Sequence, residues 1–97
     1  MNGFEFSPEA LADLQEIWVY IASDNPAAAD KLEAEIYEAC DLLRRNPGLG
    51  HRRPDLTDEP VLFWPVRGRY LVVYQRARQP LKIVRILHAA RDSREAL

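Results

Sequence analysis

Cysteine is nearly absent from this chain. Cys40 is the only one in 97 residues, so no internal disulfide can hold the fold together. Apolar runs extend for only a few residues, which excludes a membrane-spanning helix of the usual length. The opening stretch MNGFEFSPEA has neither the basic start nor the apolar core of a secretion signal. A cytoplasmic protein without a membrane partner is therefore expected. Glycine is scarce at four residues, and none belongs to a Gly-rich phosphate loop or a nucleophile elbow. Only two histidines occur, and no paired metal-ligand spacing surrounds them. No cofactor or metal is expected.

What is present is an ordinary globular composition, with 47% hydrophobic and 29% charged residues. That balance argues against disorder, and residues 1–97 are expected to form a single domain with one modest core. The formal net charge of −2 conceals a division. Through Gly48 the chain carries three basic and ten acidic residues, whereas from Leu49 onward it carries ten basic and five acidic ones. A basic second half suits a partner bearing negative charge, although arginines decorating exposed strands give the same composition.

Local patterns give an order of elements. Gly3 to Phe6 reads as a short strand with Phe4 and Phe6 on one face. Ser7-Pro8-Glu9 reads as a helix start: a capping hydroxyl, proline at the first helical position and an acid at the positive end of the dipole. Leu11, Leu14, Trp18 and Ile21 follow as an apolar stripe, broadened by Ile17 and Tyr20. Asn25-Pro26 repeats the device, and Leu32, Ile36, Ala39 and Leu43 form the core-facing line of a second helix that Asn46-Pro47-Gly48 stops. The short connection makes the two helices an antiparallel hairpin. Leu49 to Pro60 reads as a loop, and strands follow over Val61 to Val66, Tyr70 to Arg76 and Leu81 to Leu87. The expected fold is α+β. An N-terminal strand and a three-stranded antiparallel meander form one sheet, the helical hairpin covers one face, and a short C-terminal helix spans Ala89 to Leu97.

A helical hairpin covers one sheet face only. Alternation places Tyr70, Val72, Tyr74, Val84 and Ile86 under the helices. Leu71, Val73, Ile83 and Leu87 then lie on the other face beside Arg67, Arg69 and Arg85. Two explanations stay open for those aliphatic residues: a partner surface, or a face covered by a tail or a second copy. Guanidinium groups there suit either an acidic protein segment or a nucleic acid. For chemistry, His88 and Arg91 are the only candidate catalytic residues. His88 is read first as a packed strand-end side chain and second as a general acid or base. His51 reads as an exposed loop residue, and Cys40 and Trp18 as core. Pro65 removes a ladder donor, which makes its strand an edge or bulged strand.

The residues Phe6-Ser7-Pro8-Glu9-Ala10, Asn46-Pro47-Gly48-Leu49-Gly50, Pro65-Val66-Arg67-Gly68-Arg69-Tyr70-Leu71 and Val84-Arg85-Ile86-Leu87-His88-Ala89-Ala90-Arg91-Asp92, in this order, resemble the ParE branch of the RelE/ParE toxin superfamily. The resemblance implies a toxin neutralised by a ParD-like antitoxin that carries a ribbon-helix-helix DNA-binding part. It also implies that DNA contacts of the complex come from the antitoxin and not from this chain. ParE-like members inhibit DNA gyrase, whereas RelE-like members cleave messenger RNA on the ribosome. The cleaving branch has an arginine directly after the tyrosine of the third strand and often a tyrosine in the tail. Here Leu71 follows Tyr70 and the tail has no tyrosine, so the resemblance implies a non-enzymatic gyrase inhibitor, with Arg91 the one position that matches a catalytic arginine. Messenger RNA cleavage is the alternative. The antitoxin is expected on Arg67, Arg69, Leu71, Val73, Ile83, Arg85 and Leu87.

Overall fold

The computed structural model describes residues 3–90. Strand β1 (Phe4–Phe6) leads into helix α1 (Pro8–Ala22) and helix α2 (Pro26–Arg45), followed by β2 (Leu62–Val66), β3 (Tyr70–Gln75) and β4 (Leu81–His88). One sheet of order β1-β4-β3-β2 results. β1 runs parallel to β4, and the other two pairings are antiparallel. The expected α+β architecture is the one observed, with strand limits within one residue of the sequence reading. Of the expected C-terminal helix, Ala89 and Ala90 form a turn, and the rest lies outside the described residues.

Both helices start where their caps place them. Ser7 accepts the Ala10 N–H at 3.0 Å through its hydroxyl, which also donates to the Val84 carbonyl at 2.8 Å. One buried side chain thus satisfies a free helix-end donor and ties α1 to β4. Asn25 takes the same role for α2, accepting from Ala28 at 3.1 Å. Residues 67–69 join β2 to β3, with Arg67 (φ 56°) and Gly68 (φ 66°) at the centre of a tight turn that the Arg69 N–H closes on the Val66 carbonyl at 3.2 Å. Positive φ at both central positions matches the twist of the flanking strands. β2 sits at the sheet edge, where the missing N–H of Pro65 does no harm, and His51 closes part of that edge through a backbone pair with Phe63.

The main core lies between the hairpin and the sheet. Ala10, Leu14 and Ile17 of α1 and Leu32, Ile36, Cys40 and Leu43 of α2 pack on Val72, Tyr74, Ile83 and Ile86. Three sequence assignments change here. Leu11 and Tyr20, expected in the apolar stripe, are 51% and 76% exposed, and Ala10 is buried instead. Trp18 is only partly buried, its indole N–H donating to Asp30 at 2.9 Å.

A register shift falls between Val73 and Tyr74, where Val73 pairs with Arg85 and Tyr74 with Ile83. The extra residue on β4 breaks strict alternation. Ile83 therefore joins Ile86 under the helices, and Val84, expected there, moves to the second face. Arg85 also turns to the helix side and meets Asp13 of α1. The second face is not open either. Leu71, Val73 and Leu87 are buried in a small cluster with Val61 and Phe63, and Leu56 and Ala89 pack against it. Leu56, Val61 and Phe63 of the chain itself pack over Leu71, Val73 and Leu87, a cover that is neither the tail nor the second copy the sequence reading weighed against a partner surface.

Candidate functional site

Residues of α1, α2 and the β2–β3 turn line a cleft of about 880 Å³. Ile17 and Ile21 of α1 and Ala28 and Leu32 of α2 give it apolar walls. Tyr20 and Glu16 stand at one side, and Arg67, Arg69, Tyr70 and His88 close the sheet end. The turn fixes this end, since its positive-φ residues bring Arg67 and Arg69 out beside the first residue of β3. Tyr70 and His88 face each other across the β3–β4 ladder, with ring centroids 5.4 Å apart and planes at 83°. That edge-to-face contact positions the imidazole by packing, as the sequence reading placed first.

Two arginines rim the cleft in different states. Arg67 forks onto Glu35 of α2, Nε to Oε1 at 2.6 Å and a terminal nitrogen to Oε2 at 2.7 Å. Those hydrogen bonds hold the Glu35 carboxyl below its ordinary value and the guanidinium above its own. Both groups face water, so the pair orients Arg67 more than it stabilises the fold. Arg69 has no side-chain partner among the described residues, and its carbonyl accepts the Ala89 N–H at 2.7 Å. It is the rim cation left to meet an anion.

The sequence-derived site residues thus separate into three places. Arg67, Arg69 and His88 come together at the cleft. Leu71, Val73 and Leu87 are buried on the opposite sheet face, away from it. Ile83 is core, and Arg85 is held by Asp13, so these two lie on the helix side rather than with that opposite face. Arg91 lies outside the described residues. Among the described residues no cluster of three or more His, Cys, Asp and Glu could hold a metal, and no helix is long and apolar enough to cross a membrane.

The sequence reading put Leu11 and Tyr20 of the outer face of α1 in the apolar stripe and made no use of Val19. Leu11, Val19 and Tyr20 are 51%, 58% and 76% exposed, and Ala12, Gln15 and Glu16 complete a shallow surface that shares Glu16 and Tyr20 with the cleft. The signal was available, because apolar residues at Leu11, Val19 and Tyr20 are more than one buried stripe needs.

A helical hairpin on a four-stranded sheet, with a basic-rimmed cleft between helix and turn, defines a small α+β protein. Residues 4–93 match the family described as the ParE toxin of type II toxin–antitoxin systems, parDE. The chain belongs to that family and is a ParE-type toxin. It is 37% identical over 82 residues to Toxin RelE2 of Caulobacter vibrioides, a match covering 84% of this chain and 89% of the relative. The fold is also that of a chain from the chromosomal ParDE TA system of P. aeruginosa, at a TM-score of 0.71 and 23% identity, covering 91% of this chain and 96% of that one.

Proposed function

We propose that this toxin arrests growth by binding DNA gyrase without performing chemistry, and that a ParD-like ribbon-helix-helix antitoxin holds it inactive in the cytoplasm. Residues 1–97 act as one domain, and plasmid or chromosomal stabilisation follows from the pairing. The partnership is supported by membership of the parDE family. The non-enzymatic reading rests on one observation. Leu71, at the position where the messenger-cleaving branch carries arginine, is buried on the face opposite Tyr70 and His88. A guanidinium there would point into the second-face cluster, not toward a phosphodiester. Cleavage needs charge stabilisation beside a positioned acid or base; here the cleft holds His88 and Arg69, with Arg67 committed to Glu35 and no arginine at position 71.

The second reading is a ribosome-dependent endoribonuclease. It is favoured by the placement of His88, Tyr70 and Arg69 at one cleft, and one relative carries a RelE name. Induction in cells separates the two. The non-enzymatic reading predicts growth arrest relieved by the antitoxin, no new cuts in messenger RNA, and full toxicity in His88→Ala and Arg91→Ala. Codon-proximal cuts that disappear in Arg91→Ala would establish the endoribonuclease instead.

A further inference from the structure

Residues 52–60 are held firmly at both ends and by little between them. At one end His51 exchanges two backbone hydrogen bonds with Phe63, and Tyr74 Oη secures the root through Pro47 and Gly50. At the other end Val61 is buried. In between, the backbone is bonded within the segment itself. The Leu56 and Thr57 N–H groups donate to the Arg53 carbonyl, the Glu59 N–H donates to the Thr57 hydroxyl, and Arg53 forks onto Asp55. None of residues 52–60 is buried. Leu56, the one large apolar side chain of the segment, packs on the cluster of Val61, Phe63, Leu71, Val73 and Leu87.

A compact surface loop with close ends and its own internal bonds lifts without losing those bonds. Few apolar contacts tie it down, which is the condition for local opening well below the cost of unfolding. We infer that residues 52–60 are a lid on the second sheet face, opened by the withdrawal of Leu56 about hinges beside His51 and Val61. The main core lies on the other side of the sheet and keeps its packing when the lid lifts. Val73 and Leu87 are fully buried in the closed form. With Leu56 withdrawn they become, together with Leu71, part of an apolar patch. The lid thus sets how much adhesive surface the folded chain shows.

The test compares two thiols in one full-length chain. Val73→Cys places a thiol under the lid, while Cys40, buried in the main core, serves as the internal reference. Leu87→Cys is a second probe of the same cluster, and melting curves select whichever variant keeps the fold. Labelling by a disulfide thiol reagent is followed at each position in native buffer and in low urea. The introduced thiol reacts about tenfold or more faster than Cys40. Its rate rises gently with urea and that of Cys40 steeply, because lid opening exposes far less surface than unfolding. Leu56→Ala speeds the introduced thiol about tenfold further, through loss of the one apolar anchor. Equal rates at the two thiols with equal urea dependence would mean that only global unfolding exposes the face, and would overturn the lid. A rate under the lid that Leu56→Ala leaves unchanged would overturn it as well.

Discussion

Arg85 and Asp13 join β4 to α1 through a fork, Nε to Oδ2 at 2.7 Å and a terminal nitrogen to Oδ1 at 2.9 Å. The same carboxylate accepts the Ile86 backbone N–H at 3.0 Å. Three hydrogen bonds on one partly buried acid, beside the bulge, make this pair a structural lock and not a free binding group.

Removing either partner leaves the other charge half-buried. Asp13→Ala is expected to cost about 1.5–3 kcal/mol in urea unfolding, the usual range for hydrogen bonds to charged groups. Arg85→Glu places two carboxylates together and lowers stability further, so its effect on antitoxin binding reports unfolding and not contact. A double-mutant cycle of Asp13 and Arg85 reads out the coupling directly. Stability unchanged in Asp13→Ala would show that the fork contributes nothing.

Glu35 and Arg67 make an equally short fork, but in water. The carboxyl is held below its ordinary value in the folded state. Its small contribution is present above the unfolded value and is lost as the pH falls through the lowered folded one. Glu35→Gln therefore lowers the melting temperature slightly at neutral pH, and the difference from the wild type disappears as the pH falls below about 4, where an unperturbed Glu titrates. A large drop at neutral pH would mean the pair is structurally important.

Cys40 is fully buried, and burial pushes its thiol up to about 12. The folded protein therefore withholds the thiolate that reacts. Modification by a disulfide thiol reagent at pH 8 is expected to follow local or global unfolding, accelerating with urea. Because the folded value is raised, the associated stability is complete below the unfolded thiol value and declines as pH rises toward the folded one. Rapid stoichiometric labelling in native buffer would contradict this placement.

Tyr74 Oη donates to the Pro47 carbonyl at 2.7 Å and accepts the Gly50 N–H at 2.9 Å, latching the turn after α2 to the sheet. Tyr74→Phe is expected to cost about 1–3 kcal/mol for two lost hydrogen bonds. Gly50→Ala would bring a methyl to 2.6 Å from the same oxygen and break the latch from the other side. Unfolding midpoints of both variants check the two halves, and a neutral Tyr74→Phe would mean the turn holds without it.

Leu71→Arg restores the residue type of the messenger-cleaving branch at a position that faces the second cluster. Burying that charge without a partner costs several kcal/mol. The expected outcome is a destabilised protein, read by thermal unfolding, and no gain of messenger RNA cutting. A stable variant that cuts would reverse the argument from Leu71.

Much of this was legible in the residues. Ser7-Pro8 and Asn25-Pro26 start the helices as their chemistry requires, and Pro65 pointed to an edge or bulged strand, of which the edge is observed. The faces of β4 were not legible, because one extra residue beside Arg85 reverses the parity on which alternation depends. That single bulge moved Ile83, Val84 and Arg85 to the faces opposite those assigned. The cover of Leu71, Val73 and Leu87 was also hidden, since Leu56 and Val61 lie in or beside an aperiodic loop whose packing no local pattern announces. The cleft assembles Tyr20, Arg69 and His88 from three distant elements, a relation that only the topology creates.

Plasmid supercoiling by purified gyrase, titrated with this protein and then with its antitoxin, tests the central claim most directly. Inhibition by the toxin alone, relieved by a stoichiometric amount of antitoxin and retained by His88→Ala, is the predicted result. Undiminished supercoiling in molar excess of a folded toxin would contradict gyrase as the target.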